Sequence, residues 1–390
     1  MRTGLEAAFW CACTLVAYTY LGYPLLLFLA SSAAELRRAW RRLRDGMPAA
    51  SPAPDASWPA VSIIVAAHNE EAELPHLLSC LRHLDYPRER LELVLVSDGS
   101  DDGSEAYLAA QPDAWIRCVR QPRQGKAAAL NTGVAAAHHT LLVLMDASTR
   151  PQPGTLRQLV RHFADPQVGV VCGALRFVHP GNSQSTEGAY WSFECLLRLM
   201  EGRLGATLTA SGALYAVRKA CFPPLRATAW IEDFLVPMHA RQTGLRVLYD
   251  PEAWAWETAA ASVGGEFRRR QRLAIGSFRA LPALWRTRLN WVTRWALVSH
   301  KLLRWSVPFL LLAALASNLA LWPVAPYRLL LLLQLAGYGL ACAAASGLRL
   351  TCHWRLAQGL YFFLAMNAAF LCGFVRFVFD REETAWQQVR

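Results

Sequence analysis

Three regimes of hydropathy follow one another along the chain. From Ala7 to about Ala34 apolar residues run almost unbroken, longer than the ~20 positions needed to cross a bilayer. A cleaved signal peptide is the competing reading, but the apolar core is too long for one and only Arg2 precedes it. From Val61 the pattern becomes short apolar runs separated by amphipathic stretches. After Arg304 it is apolar again over Trp305–Trp322, Leu329–Ala345 and Leu356–Phe379, which predicts three more spanning helices. Residues 285–304 mix Trp, Arg and Leu, the composition of a separate helix lying in the membrane interface.

Within the middle regime, Val61–Ala67, Leu91–Ser97, Trp115–Arg120, Thr140–Met145 and Val168–Cys172 read as strands. Glu70–Leu84, Gly125–Ala137, 153–164 and Glu232 to about Gln242 read as helices. Strands that are continuous apolar runs are buried on both faces, and strands alternating with helices of this length predict a doubly wound, mostly parallel α/β sheet. The expected organisation is a membrane helix with a basic flank (1–46), a Pro-, Ala- and Ser-rich linker (47–59), an α/β domain (60–284), the interfacial helix (285–304), and membrane helices with a tail (305–390).

Composition supports a folded middle with membrane ends: 54% of residues are hydrophobic and the net charge is +11, with a mean hydropathy of +0.18. The positive charge is almost all Arg, the only lysines being Lys126, Lys219 and Lys301. The basic residues gather beside apolar segments, at 37–44 and 268–272, so lipid headgroups and phosphates are the expected anions. No helix-turn-helix or zinc pattern accompanies them, which argues against nucleic acid as a partner. The positive-inside rule puts the first cluster in the cytoplasm. Ten scattered cysteines form no paired Cys-x-x-Cys pattern and read as free thiols in a reducing compartment.

Open α/β sheets bind ligands outside the carboxyl ends of their strands. Thr140-Leu-Leu-Val-Leu-Met-Asp146 delivers Asp146, and then Ser148, to that edge. Two oxygen-bearing side chains one residue apart on an extended chain can share a hard cation; the alternative is an Asp capping the helix that follows. His68-Asn69-Glu70, Asp98-Gly99 and Gly125-Lys126 follow the neighbouring strands and should face the same crevice. Asp98 is a carboxylate suited to a nucleobase or ribose, and Gly125-Lys126 opens a helix where amides and an ammonium suit phosphate. The loop after Asp98 fails as a calcium loop because its twelfth position is Ala109, and Lys126 is not in a Walker A loop because Arg120 stands where its first Gly belongs. Glu232 and Asp233 begin a helix, either complementing its dipole or supplying a general base.

Taken in order, His68-Asn-Glu, Asp98-Gly-Ser, Gly-Lys-Ala-Ala-Ala-Leu-Asn131, Asp146-Ala-Ser, Ser211-Gly-Ala-Leu-Tyr-Ala-Val-Arg218 and Glu232-Asp233 resemble the motifs of family 2 glycosyltransferases, and above all the membrane-bound hyaluronan, chitin-oligosaccharide, poly-N-acetylglucosamine and cellulose synthases. The resemblance covers about residues 60–305. It implies a glycosyltransferase-A type fold and an inverting transfer from a UDP-sugar to a saccharide or lipid-linked acceptor. It also implies a divalent cation, Mg2+ or Mn2+, and a multi-pass inner-membrane protein with its catalytic unit in the cytosol. By the same resemblance, Asp98 with the turn His68, Asn69 and Glu70 would recognise the nucleoside, and Lys126 would support nucleotide binding. Asp146 and Ser148 would hold the metal, Asp233 would be the base, and 187–203 with 211–218 would form the acceptor-side wall.

Two positions depart from the family pattern. Ser148 replaces the second acid of Asp-x-Asp. Arg269-Arg-Gln-Arg-Leu273 stands for Gln-x-x-Arg-Trp, keeping Arg272 for the diphosphate, with Arg269 near it, but putting Leu273 where an acceptor-stacking Trp belongs. The second departure favours single transfer or short products over a processive polymerase. A transferase to a polyprenyl-phosphate or other lipid, and a catalytically silent scaffold of a polysaccharide assembly, stay open as other readings.

Overall fold

Strands β1 (Val61–Ala67), β2 (Leu91–Asp98) and β4 (Leu141–Asp146) lie at the centre because their residues have nowhere polar to point: β1 and β2 are buried along their whole length. The protein is described by a computed structural model covering residues 1–45, 58–178, 186–226, 231–258, 263–346 and 354–379. All but 58–59 of the expected linker, together with Trp230 and the tail at 384–390, lie outside the described residues. With β3 (Ile116–Gln121), β5 (Arg150–Pro151), β6 (Val168–Val178), β7 (Leu214–Arg218) and β8 (Arg246–Thr258), they form one sheet of order β3-β2-β1-β4-β7-β6-β8-β5.

The register fixes the crevice. β1 pairs in parallel with β2 and β4, with Ala67 opposite Ser97 and Ala66 opposite Asp146, so Asp98, Asp146 and the residues after Ala67 leave the same edge within about one residue of each other. The sheet is mixed: β7 runs antiparallel to both β4 and β6. Its first residue, Leu214, faces Met145 at the end of β4, so the segment leading into β7 also lies at that edge. One face of the sheet is covered by α2 (Leu74–Arg82) and α5 (Thr155–Val160), the other by α4 (Lys126–Ala136) and α7 (Glu232–Gln242). A short α3 (Ser104–Ala109) precedes β3.

Among the described residues four helices are long and apolar enough to cross a membrane: α1 (Arg2–Asp45), α9 (Trp291–Ala320), α10 (Ala325–Ala345) and α11 (Arg355–Phe379). Two of them contain a π-helical turn, Tyr18–Gly22 in α1 and Leu297–Leu302 in α9. The separate helix expected over 285–304 does not form. Asn290 caps a new helix by accepting from the Thr293 amide at 2.8 Å, so the stretch is split between the end of α8 (Val263–Arg286) and the start of α9. Its polar groups find partners inside the protein: Trp295 Nε1 donates to Tyr18 Oη at 2.9 Å and Arg304 pairs with Glu194 of α6 (Thr186–Arg203).

Helix α6 fastens the sheet to the membrane helices. Tyr23 and Leu27 of α1 pack with its Leu197 and Met200. Tyr23 Oη donates to Glu201 Oε1 at 2.8 Å, and His300 Nδ1 lies 2.6 Å from the same oxygen. Buried polar groups with this many partners hold a fixed arrangement. Helix α8 is clamped from the other side, Phe278 meeting Phe374 of α11 with ring centroids 4.9 Å apart.

Candidate active site

Asp98 does its first work inside the protein. Its side chain is buried, with one oxygen accepting from Gln121 Nε2 at 2.7 Å and the Gln124 amide at 2.8 Å, and the other accepting from the Gly125 amide at 2.8 Å. The carboxylate thus shapes the loop that opens α4. Gly99 and Gly125 make the shape possible, both lying at positive φ (65° and 94°), where a side chain is strained. The turn after β1 is laced to the turn after β2: His68 Nδ1 lies 3.0 Å from the Asp98 carbonyl, Asn69 Nδ2 donates to Asp101 Oδ1 at 2.6 Å, and the Glu70 amide donates to Ser104 Oγ at 3.1 Å. His68, Asn69 and Glu70 therefore rim one wall with Asp98 beneath them.

Lys126, at the first turn of α4, joins Asp146 of β4 and Glu232 of α7 at one point. Its Nζ lies 2.8 Å from Asp146 Oδ1 and 2.7 Å from Glu232 Oε1. Burial works against the ammonium, but the two carboxylates outweigh it and hold its pKa well above the ordinary lysine range. Asp233 stands beside them: a Cβ built at Gly212 would lie 3.6 Å from Glu232 Oε1, 3.7 Å from Asp233 Cβ and 3.9 Å from Lys126 Nζ. Burial first, and then the charge of Glu232, push the Asp233 carboxyl up to about 6, with Arg198, Lys126 and Lys301 pulling the other way. A carboxyl titrating there is matched to proton transfer near neutral pH.

Glu257 is the residue that the sequence reading missed. It lies near the end of β8, whose edge pairing with β5 sets Trp256 opposite Arg150, and Ser148 Oγ donates to its Oε1 at 3.5 Å. Burial and the nearby charge of Asp146 raise its carboxyl to about 7. The signal was present in Trp254-Ala-Trp-Glu257, a strand ending in an acid as β4 does. Asp146, Ser148 and Glu257 make a set of hard oxygen donors, the chemistry that Mg2+ and Mn2+ prefer. The Lys126 ammonium already sits against Asp146 as a cation. Among the described residues no group of three or more His, Cys, Asp or Glu is placed to hold a metal, so Ser148 leaves two carboxylates at this point.

Asp233 also lines a cavity of about 290 Å³ whose walls come from α1, α6, α7, α8, α9 and α11. Helix α8 presents Glu266, Arg269, Arg270, Leu273 and Ser277 to it, positions three or four apart and so on one helical face. Arg272 is off that face and is not among the lining residues; burial and the charges of Arg269 and Arg268 lower its pKa. Of the two arginines expected at the diphosphate, the cavity therefore receives Arg269. Leu273 does lie in its wall, so the departure from the family's Trp falls at a lined surface.

Comparison with known proteins bears on the family and the fold. Residues 62–219 match the family Glycosyl transferase family 2 and residues 141–372 match Glycosyl transferase family group 2. The chain is 26% identical over 232 residues to the probable glycosyltransferase YdaM of Bacillus subtilis, covering 56% of this chain and 55% of that one. It is 27% identical over 233 residues to poly-beta-1,6-N-acetyl-D-glucosamine synthase of Staphylococcus aureus, covering 57% and 55%. The chain thus spans about half the length of the curated relatives it matches. The mannosyltransferase PcManGT of Pyrobaculum calidifontis, solved with GDP-Man and Mn2+, superposes with a TM-score of 0.65 at 25% identity, over 92% of this chain and 99% of that one. With its glycosyltransferase-A type sheet, its flanking apolar helices and a family match over more than half its length, the chain belongs to the family 2 glycosyltransferases.

Proposed function

We propose that the protein transfers a sugar, with inversion, from a nucleotide-sugar to a hydroxyl presented at the membrane surface. The observation that carries this is Asp233, a half-buried carboxyl titrating near neutrality, set beside the Lys126–Asp146–Glu232 cluster and facing a cavity on its other side. Asp233 takes the acceptor proton as the hydroxyl attacks the anomeric carbon, and the diphosphate leaves from the opposite face. Lys126 and Arg269 neutralise phosphate oxygens, and the loop that Asp98 organises holds the nucleoside beside His68, Asn69 and Glu70. Asp146, Ser148 and Glu257 would hold a divalent cation, which when bound supplies positive charge to the leaving diphosphate.

The family resemblance implies a UDP-sugar, and the mannosyltransferase neighbour was solved with GDP-Man, so both donor classes enter the test. Leu273 in the cavity wall supports one transfer or a short product. We place residues 60–284 on the cytosolic face of the inner membrane, held by α1 and by α9 to α11. The test is nucleoside-diphosphate release by the detergent-purified chain across UDP- and GDP-sugars, with Mn2+, Mg2+ or chelator, and with products sized. Release from one donor class with a β-linked product from an α-linked donor is expected. No release from any donor sinks the reading.

A further inference from the structure

One ion pair at the crevice joins two groups that a bound donor would draw apart. Lys126 Nζ lies 2.8 Å from Asp146 Oδ1 and 2.7 Å from Glu232 Oε1, so two carboxylates share one ammonium. Asp146 is also one of the two carboxylates, with Glu257, that would hold a divalent cation, since Ser148 brings no charge and its Oγ donates to Glu257 Oε1 at 3.5 Å. Two cations drawn to one carboxylate repel each other, more strongly in a half-buried site than in water. Affinity at a hard-cation site follows the number of its carboxylates, and an ammonium resting on Asp146 cancels part of that charge.

The pair is held from both ends by backbone. Asp146 closes β4 opposite Ala66 of β1. Lys126 begins α4 directly after Gly125, which lies at φ 94° and whose amide donates to the buried Asp98 carboxylate at 2.8 Å. Gly212 packs against the cluster, a Cβ built there lying 3.6 Å from Glu232 Oε1 and 3.9 Å from Lys126 Nζ. Of the three side chains Asp146 is the most exposed, at 32% against 22% for Lys126 and 10% for Glu232, so the cluster opens to the crevice at its Asp146 end. A diphosphate arriving at the start of α4 offers the ammonium charged oxygens of the kind it now takes from Asp146.

We propose that Lys126 is the resident cation of the site: it occupies Asp146 until a nucleoside diphosphate gives its ammonium other oxygens, and Asp146 is then released to a divalent cation. Glu232 keeps its hold on the ammonium throughout. This rests on the reading of Asp146, Ser148 and Glu257 as ligands of that cation and adds the condition under which Asp146 becomes one. Nucleotide and metal are thereby coupled through Lys126, each strengthening the binding of the other by the same factor.

The test is Mn2+ binding by the full detergent-purified chain, read from the paramagnetic resonance of free Mn2+, with and without UDP or GDP. Without nucleotide, Lys126→Gln should bind Mn2+ about tenfold or more tighter than the parent, the scale of one interaction with a charged group. Lys126→Arg keeps the charge and should stay within about threefold of the parent. With Mn2+ present, Lys126→Gln should bind UDP or GDP about tenfold more weakly, as calorimetry would record. A site that is merely damaged loses both affinities, so the opposite signs carry the test. In the parent, UDP or GDP should raise Mn2+ affinity by about tenfold or more, after subtraction of the Mn2+ that free nucleotide takes, and in Lys126→Gln this gain should shrink by about the same factor. Mn2+ binding unchanged or weaker in folded Lys126→Gln overturns the proposal. A parent whose Mn2+ affinity is the same with and without nucleotide overturns it as well, and that measurement needs no variant. No Mn2+ binding by parent or variant, with or without nucleotide, removes the metal reading on which the proposal stands, whereas equal binding by both removes this inference alone.

Discussion

Asp233→Asn should move activity and stability in opposite directions. The substitution keeps the side chain's shape and removes its charge. In the folded protein the carboxyl titrates at about 6 instead of the ordinary 3.8, because burial and Glu232 oppose its ionisation. In the unfolded chain it ionises at the ordinary value, so as pH rises from there to about 6 the folded state loses stability relative to the unfolded one, and the loss is complete above that window. A shift of about two units corresponds to roughly 3 kcal/mol at about 1.4 kcal/mol per unit. At pH ~8 the Asn variant should therefore unfold at a higher temperature than the parent, by up to that free energy, with the difference vanishing as pH approaches ~4. Transfer should fall by about 10²–10⁴, the usual worth of a general base, while the Kd for nucleoside diphosphate stays within about threefold. The parent's rate should rise about tenfold per pH unit below ~6 and level off above it; the variant's residual rate should lack that limb. Thermal unfolding in detergent across pH, beside product formation from the donor that the release assay identifies, reads both. Near-parental transfer, or a variant less stable than the parent at pH ~8, refutes the assignment.

Other perturbations test the remaining parts of the site. Glu257→Gln should weaken Mn2+ binding by about tenfold or more, and Ser148→Asp should strengthen it, because the number of carboxylates sets affinity at a hard-cation site; the paramagnetic resonance of free Mn2+, titrated without donor, reports both. Lys126→Gln strips Asp146 and Glu232 of their shared cation and should lower the unfolding midpoint. The upper bound is the ~3–5 kcal/mol of a broken buried pair, reduced because the Lys126 side chain is 22% exposed. Gly99→Ala forces a side chain into φ +65° with its Cβ 2.8 Å from the Arg123 amide nitrogen. It should displace the loop that Asp98 holds and weaken nucleoside-diphosphate binding, as calorimetry would record.

The donor half of the site was readable because the sheet does the reading. Runs such as Leu93–Val96 and Leu141–Met145 are apolar on both faces, so their strands and their carboxyl ends follow from the pattern alone. Whatever polar residue comes next, Asp98 or Asp146, must stand at the crevice. β8 escaped the same treatment because Asp250-Pro251-Glu252 looks like a turn. In the structure Asp250 is buried and accepts from Arg161 at 2.9 Å and sits 2.7 Å from His162, and the β6–β8 register breaks between Cys172 and Ala174 to pass it. Tertiary pairing removed the cost of the polar residues, and Glu257 beyond them was hidden with the strand.

The membrane half was unreadable for a different reason, which is phase. A regular helix turns about 100° per residue, so periodicity assigns every position a face. A π-helical turn inserts a residue and rotates everything beyond it. Two such turns meet here, Tyr18 Oη lying 2.8 Å from Ser299 Oγ, and each contributes a residue to the cavity, Tyr20 from one and Lys301 from the other. Lys301 belongs to a stretch whose hydropathy predicts only a membrane or interfacial helix, and no local motif marks it. Its significance comes from the shifted face that it shares with Arg304 and Trp305 and from facing α6, where Arg198 stands. A site built from one or two residues on each of several helices is visible only once their packing fixes their phases.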